Sequence, residues 1–347
     1  MYIRSTANIS PQKTFGKVPF LDEIVIYEGN RLNCVTPDYK ELIDPKLIRR
    51  MSRVIKMGVA SAMACLQDGG VTNPDAIITG TAYGCLEDTG VFLSKMVERD
   101  EELLTPTSFI QSTHNTIGAQ VALLLHCNNY NNTFVNGGSS FESSLLDAQM
   151  LLQEGEAQNV LVGGIDEITD ISHSILSRLG LYKRGAISNT NLYNADSKGT
   201  IAGEGAAFFL LTNEASGNDL AKLDAVATFY KPGSHAAVEQ QIESFLAAQD
   251  LSMYDISLVL AGDNGDAHND EVYDYLEGSL FNYCNVARYK HLCGEYPTSS
   301  AFALWYAAQI VKTNTIPGSE PITPIKKILV YNHYQNTSHS LMLLSAC

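Results

Sequence analysis

The sequence predicts an α/β protein with a layered sheet, and two observations carry that reading. Segments of strand and helix character alternate along the 347 residues, the pattern of sheet-and-helix layers. The strand-like segments are continuous apolar runs, such as Ala206 to Leu211 and Leu258 to Ala261. Such runs belong to sheets covered on both faces. At about 150 residues per unit the length suits two domain-sized parts. We divide them as 1–217 and 218–347.

The elements follow in order. Ile24 to Tyr27 reads as a short strand. Pro45 to Asp68 reads as one helix, with Ile48, Met51, Ile55 and Val59 on one face and Gly69-Gly70 as the stop. Asp75 to Gly80 is a strand, Cys85 to Arg99 a helix, and Ile117 to His126 an apolar helix. Thr133 to Val135 is a strand that enters the Gly137-Gly138 turn. A helix starts at Ser139/Ser140 and runs to about Gln153, and the strand Asn159 to Val162 closes on Gly163-Gly164. In the second part, Leu223 to Tyr230 and Leu258 to Ala261 are strands. Ala236 to Gln249, Asp270 to Tyr275 and Ser300 to Lys312 are helices. A final hairpin pairs Ile328 to Tyr331 with Leu341 to Leu344.

Composition bounds the function. The formal net charge is -15, which repels nucleic-acid phosphate and anionic membrane. No apolar run approaches the ~18 residues of a membrane span. The N-terminus lacks the apolar core of a signal peptide, so a cytoplasmic location is expected. Seven cysteines (34, 65, 85, 127, 284, 293 and 347) form no CxxC pair, which argues for reduced thiols over a disulfide frame or zinc site. No metal and no cofactor are expected. Lys46, Arg49, Arg50, Arg53 and Lys56 form a basic cluster, read as a solvated helix face or a dock for an acidic partner.

Asn132 to Glu167 is the stretch that carries chemistry. Strand, glycine elbow, helix and strand follow one another, so whatever stands at Gly137 to Ser139 meets the positive end of a helix dipole. Nucleophiles and oxyanions are stabilised there. The elbow has the shape of a nucleophile site, yet no cysteine stands in it.

Several stretches resemble the ketosynthase (condensing enzyme) branch of the thiolase fold. Arg49-Arg50-Met51 is similar to the RRM segment of that family. Gly155 to Gly164, GEAQNVLVGG, is similar to its G-[DE]-A-D-x-x-[LV]-V-[GA]-G. Gly203 to Ala206 gives GEGA, and Thr105 to Phe109 with His114-Asn115 approximates SPTxF…HN. The resemblance implies a thiolase-like fold: two pseudo-repeated βαβ halves forming a layered α-β-α-β-α core. It also suggests the shorter ketosynthase-like relatives of aryl-polyene-type pathways.

The family's chemistry uses an elbow cysteine that takes the acyl chain as a thioester. Two histidines drive decarboxylation and stabilise the enolate. The resemblance assigns each position by counting. The cysteine, 26 residues before the second glycine of the GG pair, falls on Gly138. The first histidine, eight residues before Asp270, falls on Gly262, and Asp263-Asn264-Gly265-Asp266 replaces GTGT. The second, five residues after Lys290, falls on Glu295. Asn332 to Asn336 replaces the glycine-rich loop FGFGG. An ionised Glu295 about 4 Å from a malonyl carboxylate would repel it by about 4 kcal/mol at an effective dielectric near 20.

Substitute groups are few. Ser139 and Ser140 suit an N-cap better than a nucleophile without a base. His268 and His291 lie near the vacated histidine positions and read as surface or structural residues. His114 reads as a structural histidine bonded to backbone. Cys85 and Cys293 read as small buried apolar residues. Glu204 suits a structural hydrogen bond and Glu142 a helix-dipole role.

Two functions are therefore open. In the first, the chain is a non-catalytic subunit of chain-length-factor type. It pairs with an active ketosynthase through the strand at Asn132 to Val135, in polyketide- or fatty-acid-type synthesis, with an acyl carrier protein docking mainly on the partner. A homodimer is the fallback assembly. In the second, it is an acyl-carrier-dependent acyltransferase, a decarboxylase or a condensing enzyme with relocated residues. Glu295 is then the acid/base and Ser139 or Cys293 the nucleophile, with His268 the other fallback.

Overall fold

The structure, a computed structural model, describes residues 1–194, 196–318 and 324–347. Ten strands form its main sheet: β1 (Tyr2–Ile9), β2 (Ala76–Gly80), β3 (Tyr130–Phe134), β4 (Asn159–Asp166), β5 (Gly205–Thr212), β6 (Ala221–Tyr230), β7 (Leu258–Ala261), β8 (Asn285–Arg288), β9 (Lys327–Tyr334) and β10 (Ser338–Ser345). Their spatial order is β8-β7-β9-β10-β6-β1-β5-β4-β2-β3. Each half carries the same pairing. β1-β5-β4 are antiparallel neighbours, and β2 and β3 add parallel strands beyond β4. β6-β10-β9 are antiparallel neighbours, and β7 and β8 add parallel strands beyond β9. The halves meet at β1 and β6 through two residue pairs, Tyr2 with Lys222 and Ile3 with Ala221.

Among the described residues, the α-helices longer than four residues are α1 (Arg53–Gly69), α2 (Leu86–Glu98), α3 (Pro106–Gln111), α4 (Thr116–Leu125), α5 (Ser140–Glu154), α6 (Asp170–Arg178), α7 (His235–Ala247), α8 (Glu271–Gly278) and α9 (Ser300–Thr313). The largest apolar cluster brings α5 and α9 together with inward side chains from both half-sheets. A second cluster lies under α1 and α4 on the outer face of the first half, and a third under α7 and α8 on the outer face of the second. The result is the α-β-α-β-α stack of the thiolase-like fold. α9 is buried all round, as its nearly unbroken apolar sequence requires.

The expected hairpin has the expected register: Ile328 pairs with Leu344 and Tyr331 with Leu341. Other expectations need correction. Ile24 to Tyr27 is not a strand. Its amides bond to side chains, Val25 N–H to Gln12 Oε1 (2.7 Å) and Tyr27 N–H to Asn189 Oδ1 (2.8 Å), and only Glu28–Gly29 pairs briefly with Ile187–Ser188. The helix expected over Pro45 to Asp68 is two. Pro45–Ile48 stops, Met51 turns into the core, and extended Ser52 precedes α1. Strands β1 and β8 and helix α6 were not expected.

Candidate functional site

The elbow between β3 and α5 is a single helical turn, Gly137–Ser139. Gly137 has φ 61°, the left-handed region that glycine adopts without cost. Ser140 ties the turn: its hydroxyl donates to Gly137 O (2.8 Å) and accepts from Asn136 N–H (2.8 Å). Serine thus fixes the elbow from the first residue of the helix. The Ser139 side chain makes no capping bond, contrary to the N-cap expectation, and its hydroxyl has no partner among the described residues.

Gly138 faces Tyr334. A Cβ placed on Gly138 would lie within 3.0 Å of three atoms of that side chain. Tyr334 ends β9, and the turn after it is tight. Gln335 and Asn336 both have positive φ (52° and 51°), and Thr337 N–H donates to Tyr334 O at 3.1 Å. Two consecutive left-handed residues make a type I′ geometry. The tight hairpin therefore delivers a phenol where the resemblance expects a flexible glycine loop. Burial, together with the neighbouring phenols of Tyr83 and Tyr182, pushes the Tyr334 hydroxyl well above its usual pKa.

The second glycine position is filled from the same strand. A Cβ on Gly262 would sit 2.5 Å from Asn332 Oδ1 and 2.9 Å from Tyr273 Oη. Residues 332 and 334 share one face of β9 because side chains alternate along a strand. Asn332 is buried and accepts from Tyr289 Oη at 2.7 Å.

Glu295, at the third position, is 5% exposed and fully bonded. Its Oε1 accepts from Lys290 Nζ (2.7 Å) and Ser299 Oγ (3.3 Å), and its Oε2 from Asn264 Nδ2 (2.7 Å). Lys290, with no exposed surface, also donates to Ser299 Oγ. The charge that was expected to repel a malonyl group is thus countered inside the protein. The loop at 263–266 is held equally firmly. Asp270 accepts from Asn264 N–H and Gly265 N–H, and Thr200 Oγ1 donates to Asn264 O. Burial, with Asp263 nearby, pushes the Asp270 carboxyl up to about 7.

A cavity of about 210 Å³ remains here, lined by Glu295, Tyr334, Tyr182, Asn264, Asp266 and His268 among others. His268 stands on its rim with an exposed ring, Nδ1 3.3 Å from Glu271 Oε1. Cys293 lies outside this cavity in the central core. Burial pushes its thiol up, and its Sγ donates to Gly294 O (3.3 Å). His291 is held near Tyr193 (3.3 Å), and burial lowers its pKa to about 4. Cys85 is fully buried, with its thiol pushed up by burial. His114 is exposed, packs against Gly84 and makes no backbone bond among the described residues, correcting its expected role. Glu204 accepts from Cys34 N–H (2.8 Å), Ile168 N–H (3.1 Å) and the Arg53 guanidinium, so Arg53 is taken out of the basic cluster. Glu142 is fully buried in the first turn of α5, and among the described residues neither of its oxygens has a hydrogen-bond partner; burial raises its pKa.

Elbow and five-layer stack together define a thiolase-like fold. Residues 33–178 match the family model described as beta-ketoacyl synthase, N-terminal domain. Solved structures agree in fold over the whole chain. The ishigamide ketosynthase/chain length factor aligns with TM-score 0.80 at 14% identity, covering 100% of this chain and 98% of that one. A beta-ketoacyl synthase from Burkholderia phymatum STM815 aligns with TM-score 0.75 at 14% identity, covering 100% and 99%. A type II PKS acyl-carrier protein in complex with its ketosynthase, bound to the hexaketide, aligns with TM-score 0.75 at 13% identity, covering 100% and 99%. No curated protein sequence matches the chain. Among the described residues no helix is long and apolar enough to cross a membrane, and no group of three or more His, Cys, Asp or Glu is placed to hold a metal.

Proposed function

We propose that this chain is the non-catalytic, chain-length-factor-type partner of an active ketosynthase, in polyketide- or fatty-acid-type synthesis. One observation carries the reading: Tyr334 fills the space that any side chain at position 138 needs. No thioester forms at a glycine, and Tyr334 covers position 138. The scaffold around the elbow is intact, which suits a chain that supports a partner's chemistry.

The pairing surface is the edge of the sheet at β3. Among the described residues β3 pairs on one side only, with β2. Thr133 N–H turns back to the neighbouring Asn132 Oδ1 (2.9 Å). Exposed apolar residues stand beside this edge: Val135 directly after β3, Leu123 on α4, which packs against β3, and Ile110, whose carbonyl accepts from Thr116 at the start of α4. An open strand edge beside an apolar surface is an association site, and a ketosynthase presenting the same edge completes the sheet. We place the division between halves at 217/218, the location in the cytoplasm, and the pathway in the aryl-polyene type.

Co-expression with a ketosynthase that retains its cysteine and both histidines tests this. The expected product is a stable one-to-one complex. Ile110→Glu and Leu123→Glu abolish it while leaving the isolated chain folded. Failure of the unmodified chains to co-purify overturns the reading. The cavity bearing Glu295 and His268 favours a second reading, an acyltransferase or condensing enzyme with relocated residues. Under that reading the chain alone takes radiolabel from an acyl-loaded carrier protein, and Ser139→Ala or Cys293→Ala removes it.

A further inference from the structure

A cleft of about 740 Å³ lies between α2 and the segment 167–171 that leaves β4. That volume suits a small organic molecule. Part of its wall is apolar, with Leu86, Val91, Ile168 and Ile171. Gly90 keeps α2 and α6 close there: a Cβ on it would stand 3.7 Å from Ile171.

Glu167 is aimed into this cleft. It is 7% exposed. Its Oε1 accepts from Glu87 N–H at 3.1 Å. Its Oε2 has no hydrogen-bond partner among the described residues and is not sealed in the core, so it opens on the cleft that the residue lines. A buried carboxyl with one oxygen held and the other open needs a donor from elsewhere.

The surrounding charges select that donor. Burial, and then Glu87, Glu204 and Asp88, push the Glu167 carboxyl up to about 7. The neighbouring Cys85 thiol is pushed up as well and stays neutral. The cations on the cleft walls are paired or distant. Arg31 pairs with Asp170 at 2.6 Å, and Arg53 pairs with Glu204. Lys95 stands two turns along α2 from Glu87, about 12 Å away at the helical rise, with Glu98 beside it on the same helix face. The Glu167 end of the cleft is therefore negative. Among the described residues no group of three or more His, Cys, Asp or Glu is placed to hold a metal, so the cation that fits is organic.

We infer that this cleft binds a primary ammonium carried on a short apolar chain, the ammonium on Glu167 Oε2 and the chain along Leu86, Val91 and Ile171. Binding here needs neither a partner subunit nor the elbow, so it stands apart from the pairing role.

Ligand-observed NMR titration of the full chain tests it with three probes of equal length: hexylamine, hexan-1-ol and hexanoate. At pH 8 hexylamine is expected to bind at least about tenfold more tightly than either of the others, the worth of a charge-assisted contact. Propylamine is expected to lose about fourfold for each missing methylene. Glu167→Gln keeps an acceptor for Glu87 N–H and removes the charge. It is expected to weaken hexylamine binding about tenfold without lowering the melting temperature. In the unmodified chain, affinity is expected to fall about tenfold from pH 8 to pH 6, because Glu167 takes up a proton in that window while exposed carboxylates stay ionised. Equal binding of the three probes, or Glu167→Gln without effect, overturns the inference. So does an affinity that is flat from pH 8 to pH 6, which assigns the ammonium to exposed carboxylates. Displacement of hexylamine by an equal concentration of Mg²⁺ overturns it too, and assigns the cleft to a metal ion. Should Glu167→Gln fail to fold, the pH profile of the unmodified chain decides.

Discussion

The two halves of this molecule share a strand plan and differ at one equivalent connection. In the first half, β4 reaches β5 through the long excursion from Glu167 to Glu204, which holds α6 and one wall of the cleft at Glu167. In the second half, β9 reaches β10 through a turn of three residues, Gln335 to Thr337. The long connection builds surface and the short one removes a cavity. Because the hairpin cannot flex away, Tyr334 and Asn332 stand over the glycines at 138 and 262. A hairpin of the second half can therefore decide what the elbow of the first half has room for.

The largest expected effect breaks the polar centre of the second half. Lys290→Met leaves Glu295 buried and unpaired, at a cost of about 3–5 kcal/mol; Lys290→Met with Glu295→Gln recovers most of it. Urea unfolding midpoints read both, and equal losses in the single and double variants would show that the pair is not the unit of stability. Next comes the interlock between halves. Gly138→Ala is expected to lose about 1–3 kcal/mol through overpacking, and to be nearly neutral when introduced into Tyr334→Ala. Thermal melts over the four-variant cycle measure the coupling; additivity would mean that Tyr334 does not fill the elbow.

Acid sensitivity marks the second half too. Burial lowers His339 to about 4 and His333 to about 3. Both are neutral in the fold but take up protons near 6.5 when unfolded, so the unfolded state binds more protons between those limits. Stability then falls as pH drops below about 6.5, by up to about 1.4 kcal/mol per histidine per unit. Asp270 and Glu167, each raised to about 7 by burial, act in the opposite sense and lose stability as pH rises to 7. His339→Phe isolates one histidine, since its ring already stacks on Phe229. Its urea midpoint relative to the unmodified chain should rise between pH 8 and pH 5; a constant difference would clear His339 of the effect. The smallest change is at the pairing edge, where Ile110→Glu is expected to stay within about 0.5 kcal/mol in the isolated chain while abolishing the complex.

Much of the fold was legible because apolar runs and glycine turns report burial on both sheet faces. The β9–β10 register followed from the runs alone. β1 was hidden because Arg4, Ser5, Thr6 and Asn8 interrupt it, although Ser5 Oγ is satisfied inside by Cys65 O (2.7 Å). β8 was hidden because Asn285 and Arg288 leave it only two apolar residues, whereas β7, of the same length, is apolar throughout. At the site, the resemblance assigned positions 138, 262 and 295 by counting, but not what stands against them. A glycine reports that space is needed, not which side chain takes it, and here the occupant comes from the far end of the chain. The signal was available in alternation: 332 and 334, replacing the glycine loop, fall on one face of a strand. The Lys290–Glu295 pair was equally readable from its spacing, but the resemblance drew attention to Glu295 as a replacement rather than as a partner.

The hairpin that carries Tyr334 also sets what it would take to refill the elbow. A cysteine regained at 138 alone would meet the phenol, and a loop lengthened around residue 335 alone would expose a hollow with nothing to do. Each single step back passes through a poorer protein. The three-residue turn therefore couples two changes, a side chain at 138 and a longer turn, that help only together.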